Sequence, residues 1–460
     1  MMKQLSLIMI GMLSLLIVSC NNSAPEEKAE KAEQEKQENA GRTLPVEWTK
    51  NANIYEVNLR QYSQKGTFNE FAKELPRLKE MGVDILWFMP IHPVGIENRK
   101  GSLGSYYAVR DYKAVGEEYG TIEDFKLLVD KAHKLGMHVL IDWVANHTAW
   151  DNVWVEHHAD YYEKDSTGNF ISPFDWSDVI ALDYSSKEMR NAMLDALKFW
   201  LVEANIDGYR CDVAGEVPTE FWEWVRPQLD EIKPVFMLAE AEKPELLKSA
   251  FDMDYGWEFH HIMNGIAKGD KNVQDILAYL KKETNPKNSY KLNFITNHDE
   301  NSWNGTIKER LGDAADVLSV LTYTLNGMPL MYSGQEAANE KRLQFFEKDI
   351  IDWKDYPKQE FLSKLMKIKR DNPALWNGNY GGEFLSLNND QDDRLLAFKQ
   401  VKDENEILVL LNLSNEKISS SLQNINFGEY IPILLSDFDN LNSEKDFIMG
   451  SWGYCVLKKH

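Results

Sequence analysis

The stretch IDGYRCDVA, Ile206–Ala214, is a short run of strand-forming residues that carries two opposite charges. Arg210 and Asp212 are two positions apart, so on a strand both side chains project from one face, with Cys211 on the other. A guanidinium beside a carboxylate favours its ionised form. A charged carboxylate at a strand end, turned into a cleft, has what a nucleophile needs. The same pair also reads as an ordinary structural ion bridge, and only the surrounding chain can decide between the two.

Upstream, Ser186–Glu203 has helical spacing and leads into this stretch; downstream, Thr219–Ile232 is helical and Val235–Ala239 is strand-like. The same alternation begins near Asn53. Ile54–Leu59 reads as a strand, Phe68–Met81 as a helix and Val83–Met89 as a buried strand. Thr121–Leu135 is a helix opened by a capping pattern at Thr121 and Asp124, and His138–Val144 is the next strand. Asp254–Phe259 is a weaker strand and Asp275–Lys281 a helix. Then come strand Leu292–Thr296, helix Ala314–Leu325, strand Pro329–Tyr332 and helix Gln359–Ile368. Eight strands alternating with helices predict an α/β protein, a closed (β/α)8 TIM barrel. An open doubly wound sheet is the alternative, but no GxGxxG or GxxxxGK[ST] follows any strand.

The barrel is expected over residues 44–376, with a short inserted loop domain at 147–183 after the third strand, rich in Trp, Tyr, Asp and His. Beyond Trp376 the rhythm changes. Leu395–Phe398, Ile407–Leu413, Ile431–Leu435 and Gly453–Leu457 are short strands separated by turn residues, which predicts a C-terminal all-β sandwich domain over 377–460.

Polar residues at the carboxyl ends of barrel strands are site candidates. The third strand runs into Asp142, Asn146 and His147, and the fourth carries Arg210 and Asp212. The fifth ends in Glu240 and Glu242, and the seventh in His298 and Asp299. Acids delivered by four strands, with no HExxH and no nucleophile elbow, suit glycosidic bond cleavage by one ionised and one protonated carboxyl. A metal site made from the same acids is the rival reading, weakened by Arg210, which would repel a cation.

These residues reach a known family. DWVANH at Asp142–His147, GYRCDVA at Gly208–Ala214, FMLAEA at Phe236–Ala241 and FITNHD at Phe294–Asp299 match, in order and spacing, four motifs of the α-amylase family, glycoside hydrolase family 13. The chain resembles that family from about Val46 onward. The resemblance implies Asp212 as nucleophile, Glu240 as general acid/base and Asp299 as transition-state stabiliser. It implies Arg210, His147, His298 and Asp142 as substrate-site residues, and Tyr107 in SYYAVRDY as the aromatic that stacks on the sugar. Glu242 shares strand parity with Glu240 but lies further into the loop. The implied reaction is retaining hydrolysis of α-1,4-glucosidic bonds in starch, glycogen or maltooligosaccharides. Cyclomaltodextrinase, neopullulanase, α-glucosidase and transglycosylase activities, or a non-catalytic glucan-binding role, are the alternatives. No cofactor is required for the chemistry, and calcium is compatible with Asn146 as a ligand. Two departures bear on this. Gly215 and Glu216 stand where many α-amylases have Lys-His, and Ala181 where a metal-binding Asp is frequent, with Asp175, Asp178 or Asp183 as substitutes.

Composition fits an acidic globular enzyme: 43% hydrophobic, 12% aromatic, and a net charge of −22 that disfavours nucleic acid or an anionic membrane surface as partner. Residues 1–20 read as a lipoprotein signal peptide. Lys3 precedes an apolar run that ends in Ile17-Val18-Ser19-Cys20, which resembles a bacterial lipobox with Cys20 lipidated. Residues 21–43, dominated by Glu, Lys, Gln and Ala, read as a charged flexible tether. With Cys20 acylated, only Cys211 and Cys455 remain, far apart in sequence, and Cys211 reads as a buried structural thiol facing away from the cleft. The expected location is a bacterial outer membrane, at the cell surface or periplasmic face, with the membrane engaged through the lipid. Labelled palmitate is expected to enter the wild-type chain but not Cys20→Ala, and a Cys20→Ala protein that still labels refutes the anchor.

Overall fold

In the computed structural model, which describes residues 45–282, 285–286, 288–439 and 446–460, eight parallel strands close into a barrel. They are β1 (Ile54–Val57), β2 (Ile85–Phe88), β3 (His138–Val144), β4 (Gly208–Asp212), β5 (Phe236–Ala239), β6 (Met253–Tyr255), β7 (Tyr290–Asn293) and β8 (Met328–Tyr332). Each pairs with its neighbours in sequence, and β8 returns to β1 through Ile54 opposite Leu330. The predicted signal peptide with Cys20 and the tether lie outside the described residues.

Strand parity divides the barrel into layers. One inward set is apolar and fills the lower barrel: Ile54, Ile85, Leu140, Leu238, Leu292 and Leu330. Two residues further along, the same face carries Glu56, Trp87, Asp142 and Glu240, so the inward row turns polar as it reaches the carboxyl end. The opposite parity, including Tyr55, Tyr209 and Cys211, packs outward against the helices. Cys211 and Cys455 are both free and buried.

Helix signals largely match the structure. Thr121 and Asp124 form the expected reciprocal capping box at the start of Ile122–Lys134, and the Ser186 side chain caps Lys187–Glu203. Two expectations are corrected. The predicted helix over Phe68–Met81 is two helices, Phe68–Phe71 and Leu75–Met81. Pro76 in the first turn of the second has no N–H to continue the first. The predicted strand Asp254–Phe259 stops at Tyr255, and Trp257–Lys268 is a helix. Its Phe259, Ile262, Met263 and Ile266 recur at helical spacing on one buried face, and Gly269 ends it in a left-handed conformation.

Between β3 and β4 the chain makes its long excursion. It leaves as a short strand, His147–Ala149, and returns as Val179–Ala181, the two paired antiparallel with His147 opposite Ala181. After the barrel, six antiparallel strands form the all-β domain: β9 (Glu383–Ser386), β10 (Leu395–Lys402), β11 (Asn405–Asn412), β12 (Ile418–Ser421), β13 (Tyr430–Asp439) and β14 (Asp446–Lys459). The long β14 connects them, pairing with β11, β12 and β13. One face, with Phe398, Val409 and Val456, joins the barrel's outer core. The other, with Leu408, Leu410, Phe447 and Leu457, closes over its own cluster.

Gly208 opens β4 where it lies against β5. It has φ +153°, and a Cβ there would stand 1.9 Å from the Phe236 carbonyl oxygen. Gly208→Ala is therefore expected to force β4 from β5 and cost at least the ~1–3 kcal/mol of an overpacked core. Urea unfolding measures this, and an unchanged midpoint refutes it.

Candidate active site

The centre of the site is the Arg210 side chain, fully buried on β4. Its Nη1 donates to Asp142 Oδ1 and to Asp212 Oδ1, both at 2.9 Å. Nη2 lies 2.9 Å from Glu240 Oε1, an ion-pair contact without hydrogen-bond alignment. Nε donates to the Tyr255 hydroxyl at 3.2 Å, and the guanidinium lies 5.0 Å from the Trp87 ring centre. Register explains the convergence, since Asp142 of β3 is paired with Arg210, and Val144 with Asp212. One cation thus gathers acids from three consecutive strands.

Burial alters the expected electrostatics. It pushes the Asp212 carboxyl above its ordinary value, and Arg210, shared among three acids, offsets this only in part. Arg210 thus favours the ionised Asp212 as its sequence position implies, but burial outweighs it. Glu240, Asp299 and Asp142 are raised for the same first reason, loss of water, with Arg210 or His298 opposing. An elevated Glu240 suits a group that must hold a proton to donate. Its other oxygen, Oε2, accepts from the Val213 backbone N–H at 2.8 Å. To present that amide Val213 adopts φ +35°, a strained conformation for a β-branched residue.

A second group lies beside the first. His298 Nε2 is 2.7 Å from the Tyr107 hydroxyl and 3.3 Å from Asp299 Oδ2, and Tyr107 donates to Asp142 Oδ2 at 3.1 Å. Below His298, Glu56 of β1 is completely buried with Oε1 2.5 Å from His298 Nδ1. His147, at the start of the excursion, packs edge-on to Trp176 at 5.4 Å. Burial lowers its pKa to about 4 and keeps it neutral.

Tyr107, His147, Asp212, Glu240, His298 and Asp299 line one cleft of about 570 Å³. Asp142 and Arg210 lie beneath its floor, with no exposed side-chain surface. Sequence reading missed the cleft's aromatic walls. Trp176 of the excursion forms one, while Phe345, Phe346 and Trp303 form the other. Phe345 is parallel to Tyr107 at 6.1 Å. It also missed Glu56, although a carboxylate inside the apolar strand IYEV was the available signal. Glu242 is not part of the cleft; it accepts the Glu258 amide and faces Lys291.

The donors named for calcium do not assemble. The Asn146 amide lies against His147 Nδ1 at 3.3 Å, Asp178 pairs with Lys100 at 2.9 Å, and Asp183 accepts the Ser185 amide. Among the described residues no three His, Cys, Asp or Glu side chains are grouped as a metal site requires.

The alpha-amylase catalytic-domain model matches residues 19–179 and 161–415. Among solved structures, a noncanonic maltogenic alpha-amylase, AmyB of Thermotoga neapolitana, is 31% identical with a TM-score of 0.76, covering 89% of this chain and 97% of that one. An alpha-amylase from Lactobacillus plantarum is 28% identical with a TM-score of 0.79, covering 90% and 100%. Among curated proteins, alpha-amylase MalA of Haloarcula japonica is 25% identical over 82% of this chain, which spans 57% of MalA's length. An alpha-1,4-glucan:maltose-1-phosphate maltosyltransferase of Picrophilus torridus is 26% identical over 83% of this chain and 63% of its own. With the four motifs converged on one cleft and the family model matched over most of its length, the chain belongs to the alpha-amylase family of glycoside hydrolases and transglycosylases.

Proposed function

We propose that this chain is a retaining hydrolase of α-1,4-glucosidic bonds in starch, glycogen or maltooligosaccharides, held at a bacterial outer membrane by lipid on Cys20. The observation that carries the catalytic reading is the single guanidinium within 2.9 Å of both Asp212 and Glu240. One guanidinium shared by both carboxyls is compatible with double displacement, the outcome the family resemblance implies, which uses a carboxyl separation of about 5–5.5 Å.

In this reading Asp212 attacks the anomeric carbon as its bond to the leaving oxygen breaks, and Glu240 gives that oxygen its proton. A glycosyl ester forms on Asp212. Glu240, now ionised, takes a proton from water, which attacks the same carbon and frees Asp212. Asp299 and His298 grip sugar hydroxyls as the ring flattens, and Tyr107 offers its ring to the sugar face. The Val213 amide fixes Glu240 in both proton transfers.

One observation favours action on chain ends or short oligosaccharides. The loop after β2 is tied to the segments on both sides of the cleft. Lys100 pairs with Asp178 of the excursion at 2.9 Å, and Ser102 N donates to Glu347 of the segment after β8 at 2.8 Å.

Product analysis on amylose, pullulan and cyclodextrins tests these readings. Wild type is expected to release maltooligosaccharides from amylose. Asp212→Asn is expected to be inactive, and Glu240→Gln slower by about the 10²–10⁴-fold typical of lost acid–base catalysis. Wild type and Asp212→Asn leaving every α-glucan equally untouched sinks the hydrolase reading. Early release of long, mixed oligosaccharides from amylose overturns chain-end action.

A further inference from the structure

Both ring nitrogens of His298 lie within hydrogen-bond distance of a buried oxygen, Nδ1 of Glu56 and Nε2 of Tyr107. The Tyr107 hydroxyl has one proton and directs it to Asp142 Oδ2 at 3.1 Å. With that proton on Asp142, its oxygen is free to accept from His298 Nε2, 2.7 Å away. Nδ1 faces the Glu56 carboxyl group at 2.5 Å. A neutral imidazole meets these contacts only by accepting at one nitrogen, whereas an imidazolium donates at both and also faces Asp299 Oδ2 at 3.3 Å. Glu56 makes no other side-chain hydrogen bond, since its Oε2 is buried without a partner among the described residues.

From this geometry we propose that Glu56 is a positioning residue that keeps His298 as an imidazolium, holding a positive charge beside Asp299 throughout turnover. The proposal rests on the catalytic reading of the cleft. Its consequence is electrostatic: the imidazolium opposes burial at Asp299, the acid assigned to grip the sugar. Glu56 would act only through His298, because it lies outside the cleft lining.

The charged and titratable surroundings are these. Asp299 and Glu56 favour the imidazolium, and Arg210 of β4 opposes it. Asp142 of β3, Asp212 of β4 and Glu240 of β5 also feel its charge, while Tyr255 of β6 and Tyr332 of β8 face Glu56. Trp87 of β2 packs edge-on to the ring at 6.1 Å. Burial depresses the His298 pKa, but Asp299 and Glu56 outweigh it and raise it to about 9. Because the folded value lies above the unfolded one, this stabilisation is complete below about pH 6.5 and is lost as pH rises through about 9.

The test is Glu56→Gln, which keeps the shape and removes the charge. Ring-labelled histidine NMR, with His298 assigned by its loss in His298→Gln, is expected to show a wild-type ring still doubly protonated at pH 8. In Glu56→Gln the ring should deprotonate about one pH unit or more lower. The alkaline limb of kcat/KM on maltooligosaccharides should fall by the same interval, with kcat near pH 5.5 kept within a few-fold. A folded Glu56→Gln whose His298 titration and alkaline limb match wild type overturns the proposal. Glu56→Asp keeps the charge and should keep the high limb. A limb displaced downward in Glu56→Asp overturns the proposal even where Glu56→Gln does not fold. If no form cleaves any α-glucan, the hydrolase reading fails, while the NMR titration still decides the role of Glu56.

Discussion

A guanidinium buried with no exposed surface, contacting three carboxylates, is the constraint on which the upper barrel depends. Removing an arginine from water is costly unless its charge is compensated in place. Arg210 meets that demand with Asp142, Asp212 and Glu240, so β3, β4 and β5 must stand in register for the ion cluster to exist. The relation is asymmetric. Losing one partner from such a cluster typically costs about 3–5 kcal/mol, because the remaining charge stays buried and uncompensated. The arrangement that orients the two proposed catalytic carboxyls therefore also ties the strands that carry them.

Burial around the cluster keeps the acids from ionising too easily. Burial raises Asp212, Glu240 and Asp299, and two cations, Arg210 and His298 over Glu56, oppose that rise from below the sugar site. A site with this balance can hold one carboxyl protonated and another ionised within a few ångströms, as acid-assisted attack at an acetal requires. The strained Val213 backbone serves the same end, directing an amide at Glu240 that an unstrained turn would not present.

Much of this was legible in the chain. The alternation of apolar runs with amphipathic segments indicated eight β/α units, because barrel strands buried on both faces must be apolar and their helices must show one apolar stripe. Arg210, Asp212 and Glu240 could be named because each follows an apolar run at the parity that turns inward, and His298 and Asp299 because they close the seventh apolar run in a family motif. The helix Trp257–Lys268 was hidden because the short strand before it shares its aromatic character and no Ser, Thr or Asp marks its start. Glu56 was passed over because the one local signal, a single acid in the apolar strand IYEV, does not say what it pairs with; its partner lies 242 residues away.

The sequence by itself determined the fold class and the identity of the acids, since hydrophobic period and strand parity are local properties of the chain. Tertiary structure alone decided which acids share the guanidinium, that Asp142 and Arg210 lie beneath the cleft rather than in it, and that Lys100, Asp178, Trp176 and Phe345 form its walls. Those outcomes depend on strand register and on loops that meet across the barrel mouth, where contacts are set by three-dimensional closure and leave no periodic trace in sequence. IDGYRCDVA specified a cation and an acid on one face; only the closed barrel brought Asp142 and Glu240 to them.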